Sequence, residues 1–234
     1  MMNQFHSWRQ RIFLGVIVAC ALFVVLTFVA MLFYRGGTAT DPAASGYSFF
    51  GNFFSELGLI KSRSGQPNTV SAILFFIAMT LAGSSLVSFF VAFPQFFTQS
   101  LSGKLFSWMG SIFGVFSGFC FIGVAFTPAD LFLEAHIFFV MWAFRLFPLA
   151  VIPYIIAILG EKRYPNRFAF VFVGFAVLLV LYLVLITKGP SSESDGGRMI
   201  QVIGQKVIGY ASIISIYIQA QGARRIIGVG GKSE

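Results

Sequence analysis

One run of 23 residues without a charged side chain, Ile12 to Tyr34, constrains this chain more than any other feature of its sequence. About 20 apolar residues in an α-helix cross the roughly 30 Å hydrocarbon core of a bilayer. A cleaved signal peptide is the alternative, because a basic segment precedes the run. The run is much longer than the roughly 7–15 residues of a signal core, and no clear small-x-small cleavage site follows it closely. We therefore predict a retained membrane anchor.

Five more apolar segments follow, and only 10% of the residues are charged, against roughly 25% in soluble domains. The chain is therefore predicted to be an all-α integral membrane six-helix bundle that forms a single transmembrane domain, 1–234. The predicted spans are 12–34, 70–93, 105–126, 131–159, 168–186 and 199–220. Pro148 and Pro153 lie inside the fourth span and are expected to kink it or break it locally.

The distribution of basic residues predicts the orientation of the chain. With the N-terminus inside, the cytoplasmic segments hold nine Lys and Arg residues and the outer loops hold five. This bias predicts that both termini lie in the cytoplasm. We expect the protein to be in the plasma membrane. The bias also explains the net charge of +8 without a nucleic-acid partner. Residues 35–69 then form a long outer loop.

The centre of that loop has a helical hydrophobic period. Apolar residues recur at i, i+3, i+4 and i+7, namely Phe50, Phe53, Phe54 and Leu57. The opposite face would carry Asn52, Ser55 and Glu56. With Ser48 as N-cap and Gly58 as the left-handed C′ residue, the pattern predicts a short amphipathic helix at the outer interface. It would hold three polar side chains over the mouth of the bundle. The alternative is that this segment only packs the loop against the bundle and has no functional role.

Two patterns within the spans predict packing rather than chemistry. Gly110, Gly114 and Gly118 place a small residue at every fourth position of the third span, which lets helix backbones approach closely. Many of the 31 phenylalanines occur as adjacent pairs. Neighbours in a helix point about 100° apart and cannot form one recognition stripe, so we expect the pairs to fill lipid-facing surface.

Ionisable residues inside the spans are the candidates for function, because each needs a partner or water. Arg145 lies deep in the fourth span and either snorkels to the headgroups or has a functional role. Lys206 either pairs with Glu56, Asp130 or Glu134 to neutralise its charge, or belongs to a binding site. We expect one outward polar cluster, made of Asn52, Ser55, Glu56, Asp130, Glu134, His136, Gln205 and Lys206.

The sequence lacks the residues that several common kinds of catalytic, phosphate-binding and metal site require. His6 and His136 fall on opposite sides of the membrane, so a three-histidine zinc site cannot form. There is no Gly-x-Ser-x-Gly elbow and no Gly-x-x-x-x-Gly-Lys phosphate loop. Cys20 and Cys120 lie inside apolar runs. We therefore predict no cofactor and no metal.

Short motifs resemble those of a known group of proteins. The segment Asn52-Phe53-Phe54-Ser55-Glu56-Leu57-Gly58, the Pro128-Ala129-Asp130 turn before His136, and Gln205-Lys206 resemble a prokaryotic six-transmembrane-helix family of unknown function. The Ser-acid-x-Gly element followed by Pro67 is also distantly similar to the autophagy-modulator and GPI-remodelling (FGF-receptor-activating-protein-like) membrane proteins. The resemblance implies a six-helix bundle and a lipid-related role, but no mechanism. Lys206 stands where the prokaryotic family has Arg, which weakens any argument for a bidentate clamp.

Three functions fit these patterns. The favoured one is a non-enzymatic protein, either a lipid-binding module or an accessory subunit of a larger membrane complex, with membrane lipids and possible subunits as partners. The second is an enzyme on a lipid or lipid-linked substrate at the outer leaflet, with His136 and either Glu56 or Asp130 as acid–base pair. The third, a small transporter, is disfavoured because no internal repeat is visible.

Overall fold

The computed structural model describes the backbone of residues 2–230 and the side chains of 8–194 and 196–228. This part of the chain contains six α-helices and no named strand. The helices are α1 (Met2–Phe33), α2 (Thr69–Ala92), α3 (Leu101–Phe126), α4 (Leu133–Gly160), α5 (Arg167–Lys188) and α6 (Asp195–Gly230). Two short 3₁₀ helices, Phe54–Gly58 and Phe93–Phe96, lie in the connections.

All six α-helices contain a segment long and apolar enough to cross a membrane. The prediction of an all-α six-helix membrane bundle is therefore confirmed. Segment α6 has the lowest mean hydropathy, 1.4 against 3.0 for α1 and α5, because it carries the glutamines and Lys206. The expected break in α4 does not occur, since the helix is continuous through Pro148 and Pro153.

The helices form a closed ring in chain order. Each helix packs on the next, and α6 returns to pack on α1. The buried side chains form two clusters, a large one toward the Phe97 and Tyr164 end and a smaller one around Phe54, Leu57 and Phe75. We call the end that carries residues 34–68 the loop end.

The glycine strip on α3 makes the predicted close contacts. An added Cβ on Gly118 would lie 3.0 Å from the carbonyl oxygen of Gly83 on α2, and one on Gly110 would lie 2.7 Å from that of Ala150 on α4. Nearby, the Ser111 hydroxyl bonds to the Tyr154 hydroxyl at 2.6 Å. The strip therefore sets the spacing of α3 against both of its neighbours.

The phenylalanine pairs are only partly on the lipid-facing surface, so that prediction was wrong for several of them. Phe89 and Phe90 are fully buried. Phe93 and Phe97 pack edge-on against each other, and their ring centroids lie 4.8 and 5.7 Å from that of Tyr154. Phe93 and Phe97 lie in the α2–α3 connection, at the start of the Phe93–Phe96 3₁₀ helix and just after it, and both are fully buried there.

The short helix after α1 occurs at the predicted place but differs from the expected amphipathic α-helix. It is a 3₁₀ helix of five residues in which Phe54, Glu56 and Leu57 are buried. Phe50 remains 59% exposed, and Gly58 is not in the left-handed region. The prediction of one apolar and one polar face was wrong, because tertiary hydrogen bonds rather than helical period set the backbone here.

Candidate functional site

The polar centre of the loop end is a buried carboxylate with more positive than negative charge around it. We call Asn52, Glu56, Arg63, Arg198 and Lys206 the Glu56 cluster. Arg63 donates to Oε1 of Glu56 through Nε at 3.0 Å and through an η nitrogen at 2.8 Å. Arg198, at the start of α6, donates to the same oxygen at 2.8 Å. The amide of Asn52 donates to Oε2 at 2.6 Å.

Asn52 connects this carboxylate to the rest of the loop. Its side-chain nitrogen also donates to the carbonyl of Gly37, and its side-chain oxygen accepts from the backbone N–H of Ser48 at 2.8 Å. Gly37 has φ +84°, and a Cβ there would collide with Ser64. A glycine is therefore required where the two arms of the loop meet.

Helix α6 binds the loop at two further points. Lys206 donates to the backbone carbonyl of Asn52 at 2.6 Å, and its ammonium lies 5.0 Å from the Phe49 ring centroid. The side-chain oxygen of Gln205 accepts the backbone N–H of Phe54 at 2.6 Å. Lys206 thus contacts a carbonyl and an aromatic face, and the ion pair with a carboxylate that was one of its two predicted alternatives is not formed within the described residues.

These contacts make the Glu56 cluster a structural lock between loop and bundle. Glu56 is 3% exposed and the Arg198 side chain 10% exposed, whereas the Arg63 side chain is 43% exposed. Burial also raises the pKa of the Tyr47 phenol, and the Glu56 charge adds to the rise, so Tyr47 stays a neutral donor to the carbonyls of Asn52 and Phe53. Both carboxylate oxygens of Glu56 accept hydrogen bonds from other residues of the protein.

The predicted outward cluster divides into separate groups. Asn52, Glu56, Gln205 and Lys206 come together as predicted. Asp130 does not join them, because its two oxygens accept the backbone N–H groups of Ile60 and Lys61 at 3.2 and 2.9 Å. Glu134 is exposed on α4 and makes no hydrogen bond or ion pair within the described residues. Including Glu134 in the cluster was therefore wrong.

Within the described residues, His136 forms no hydrogen bond or ion pair with either carboxylate that was expected to pair with it. Its Nδ1 lies 2.6 Å from the backbone carbonyl oxygen of Thr127, and its Nε2 is buried without a hydrogen-bond partner in the described part of the protein. Because Glu56 and Asp130 are both held by other donors, the predicted acid–base pair is not formed. Ser55, the last member of the predicted cluster, does share a cavity with His136.

Two cavities adjoin this end of the bundle. The central cavity has a volume of about 90 Å³ and lies between α1, α2, α3, α4 and α6, beneath Phe54 and Ser55. Its walls are almost wholly apolar, and its few polar lining groups include Ser55, Gln205 and Ser212. The Ser212 hydroxyl is already bonded to a backbone carbonyl of its own helix. The Phe54–Gly58 3₁₀ helix therefore covers the central cavity at the loop end.

The side cavity, of about 200 Å³, lies between the loop, α2 and the ends of α3 and α4. It contains His136, and it shares Ser55, Phe75 and Val124 with the central cavity. The two chambers are therefore neighbours separated by the thickness of those side chains. None of the residues lining either cavity, in the part of the chain that the structure describes, is charged.

Sequence reasoning missed Arg63 and Arg198 as partners of Glu56. Both were counted only as basic residues of outer loops. The available signal was that Glu56 lies among apolar residues of a loop that also contains Arg63, seven positions further on. Among the described residues, no three His, Cys, Asp or Glu side chains form a group that could hold a metal ion.

The chain matches no protein-family model, no curated protein and no solved structure.

Proposed function

We propose that this protein is a non-enzymatic lipid-binding membrane protein whose ligand occupies the central cavity. The observation that carries the proposal is an apolar cavity of about 90 Å³ inside the bundle, covered by a segment that hydrogen bonds hold in place. Binding sites for small hydrophobic ligands likewise have mostly apolar walls with a few polar groups, and a cavity of this size accommodates a segment of a hydrocarbon chain rather than a whole lipid. The absence of charged lining residues among those described favours an uncharged portion of a lipid, such as an acyl or isoprenoid chain.

The test is native mass spectrometry of the protein released from membranes with a mild detergent. We expect a lipid to stay bound at a stoichiometry of one. Gly209 lines the cavity and an added Cβ there would meet nothing within 4 Å, so Gly209→Leu should fill the cavity without moving the backbone. This variant should lose the lipid.

Gly174→Leu is the matched control. Gly174 is exposed on α5, and an added Cβ there also meets nothing within 4 Å. This variant should keep the lipid. A wild-type protein that leaves the membrane with no bound lipid, or a Gly209→Leu variant that binds as much lipid as the wild type, would contradict the proposal.

A second candidate function, accessory subunit of a membrane complex, is favoured by Arg145. This residue is exposed 12 positions into the 28-residue helix α4, so it lies near the middle of the span. The two ion pairs within the described residues both belong to Glu56, and the Arg145 guanidinium lies 5.8 Å from the centroid of the Trp142 ring. An arginine at the bilayer centre costs at least about 2.5–3.5 kcal/mol on insertion scales.

The partner that would relieve this cost is a transmembrane helix of another protein with an Asp or Glu at mid-depth. Among the described residues of this chain, every Asp and Glu lies in a connection between α-helices or in the first turn of one, so a second copy does not supply such a residue. The exposed apolar residues Leu149 and Ile152 continue the same face of α4. An arginine side chain reaches much less far than the roughly 15 Å from the mid-plane to the headgroups.

The corresponding test is purification of the complex from native membranes in mild detergent. Arg145→Leu should release the partner while the chain itself remains folded, and Lys188→Leu, at the exposed end of α5, should not. Neutralising the intramembrane acid of the identified partner should have the same effect as Arg145→Leu. If wild type and Arg145→Leu both purify as the same isolated chain, this second function is wrong.

A further inference from the structure

We propose that the side cavity receives the hydroxyl group of a neutral lipid alcohol, with Nε2 of His136 as hydrogen-bond acceptor and Ser55 beside it. The inference rests on the proposed lipid-binding function, and it names the chemical class of the ligand. The alcohol would place its hydroxyl in the side cavity and its hydrocarbon chain in the central cavity.

The tautomer of His136 follows from its neighbour. Nδ1 lies 2.6 Å from the carbonyl oxygen of Thr127, and a carbonyl oxygen can only accept, so Nδ1 must carry the proton. In an uncharged imidazole the other ring nitrogen, Nε2, is then an acceptor. The imidazole is uncharged in this environment, because a buried charge without a partner is strongly unfavourable. His136 is only 6% exposed, and its Nε2 has no partner within the described residues.

A buried acceptor without a partner costs free energy, so a ligand that supplies a donor is favoured over one that does not. The charge of the walls restricts which donor that is. Among the residues that the structure describes, the lining of the side cavity includes no lysine or arginine for a phosphate or carboxylate, and no carboxylate for an ammonium group. A neutral hydroxyl group supplies the missing hydrogen-bond donor and needs no charged partner in the cavity.

The position of the cavity supplies a route from the bilayer. Ile73 and Phe76 line the side cavity on α2 and are 53% and 37% exposed. Large apolar side chains exposed on a membrane-spanning helix face lipid, so the side cavity opens laterally between α2 and the loop rather than into water. Ser55, Phe75 and Val124 belong to both chambers. A lipid that entered tail first would reach the central cavity and leave its hydroxyl near His136.

The experiment compares two photoactivatable probes on the purified full-length protein in detergent. One is hexadecanol with a diazirine near the end of its chain, and the other is its methyl ether, which has the same chain but no hydroxyl donor. After illumination, peptide mass spectrometry locates the label. We expect the alcohol to label the central cavity and to bind about tenfold more tightly than the ether, as one hydrogen bond to a buried acceptor allows.

His136→Phe should lower binding of the alcohol to the level of the ether and leave the ether unchanged. Glu134→Gln, two residues away and exposed, should change neither. Since the wild-type comparison of the two probes needs no variant, a folding defect in His136→Phe would not remove the test. Equal binding of alcohol and ether overturns the inference but leaves lipid binding standing. Specific labelling by neither probe overturns both.

Discussion

Glu56→Gln is the substitution that most directly tests the lock between loop and bundle. The change is nearly isosteric and removes one negative charge. It leaves Arg198 with a side chain only 10% exposed and without a counter-ion, and it weakens the bonds from Arg63 and Asn52. Removing one partner of a buried ion pair costs about 3–5 kcal/mol, because the other charge stays buried and unpaired.

The magnitude should differ sharply between the two arginines. Arg63 is 43% exposed on its side chain, and partly exposed ion pairs contribute only about 0–1 kcal/mol, so Arg63→Gln should be mild. For a chain of this size, each kcal/mol corresponds to a change in melting temperature of roughly 2–4 °C. Glu56→Gln should therefore lower the melting temperature by roughly 6–20 °C and Arg63→Gln by at most about 4 °C.

The assay is thermal unfolding in one detergent, followed by size-exclusion chromatography of the fraction that remains folded. Glu134→Gln is the control, because Glu134 is exposed and unpaired within the described residues. Combining Glu56→Gln with Arg198→Met should recover part of the loss, since the stranded cation is removed. A melting temperature for Glu56→Gln within about 2 °C of the wild type would refute the lock.

Three further substitutions probe the loop and the helix packing. Asp130→Asn removes one of two backbone acceptors and should speed tryptic cleavage after Lys61, measured by peptide mass spectrometry. Asn68→Ala removes donors to two carbonyls next to the 3₁₀ helix and should lower stability by about 1–3 kcal/mol in the same thermal assay. Gly118→Leu should prevent α2 and α3 from packing and yield aggregated protein on size exclusion, whereas Gly174→Leu should elute normally.

The transmembrane architecture was predictable because it depends on properties that each segment has by itself. The uncharged run Ile12 to Tyr34 is long enough to span a bilayer whatever its neighbours are. The small residues Gly110, Gly114 and Gly118 likewise permit close approach at a fixed period. Hydropathy and spacing are local quantities, so the sequence contains them directly.

The loop was predicted less well because its conformation depends on distant residues. Glu56 is bound by Arg198, which lies 142 residues away, and Asn52 is bound by Lys206 at a separation of 154. A period of apolar residues cannot show that these contacts bury Glu56 instead of leaving it on a polar face. Of the eight residues predicted to form one polar cluster, Asn52, Glu56, Gln205 and Lys206 therefore come together. Ser55 and His136 line the side cavity, and Asp130 and Glu134 belong to neither group.

The ring order of the helices has a consequence for biosynthesis. Helix α6 closes the ring against α1 and also brings Arg198 to Glu56, so this attachment of the loop cannot form until the last span has been made. At about 5–20 residues per second, a ribosome needs roughly 7–28 s to synthesise the 142 intervening residues. During that interval Glu56 has only Arg63 as a cationic partner, and a chain that ends before α6 would also lack the contacts of Gln205 and Lys206 with the loop.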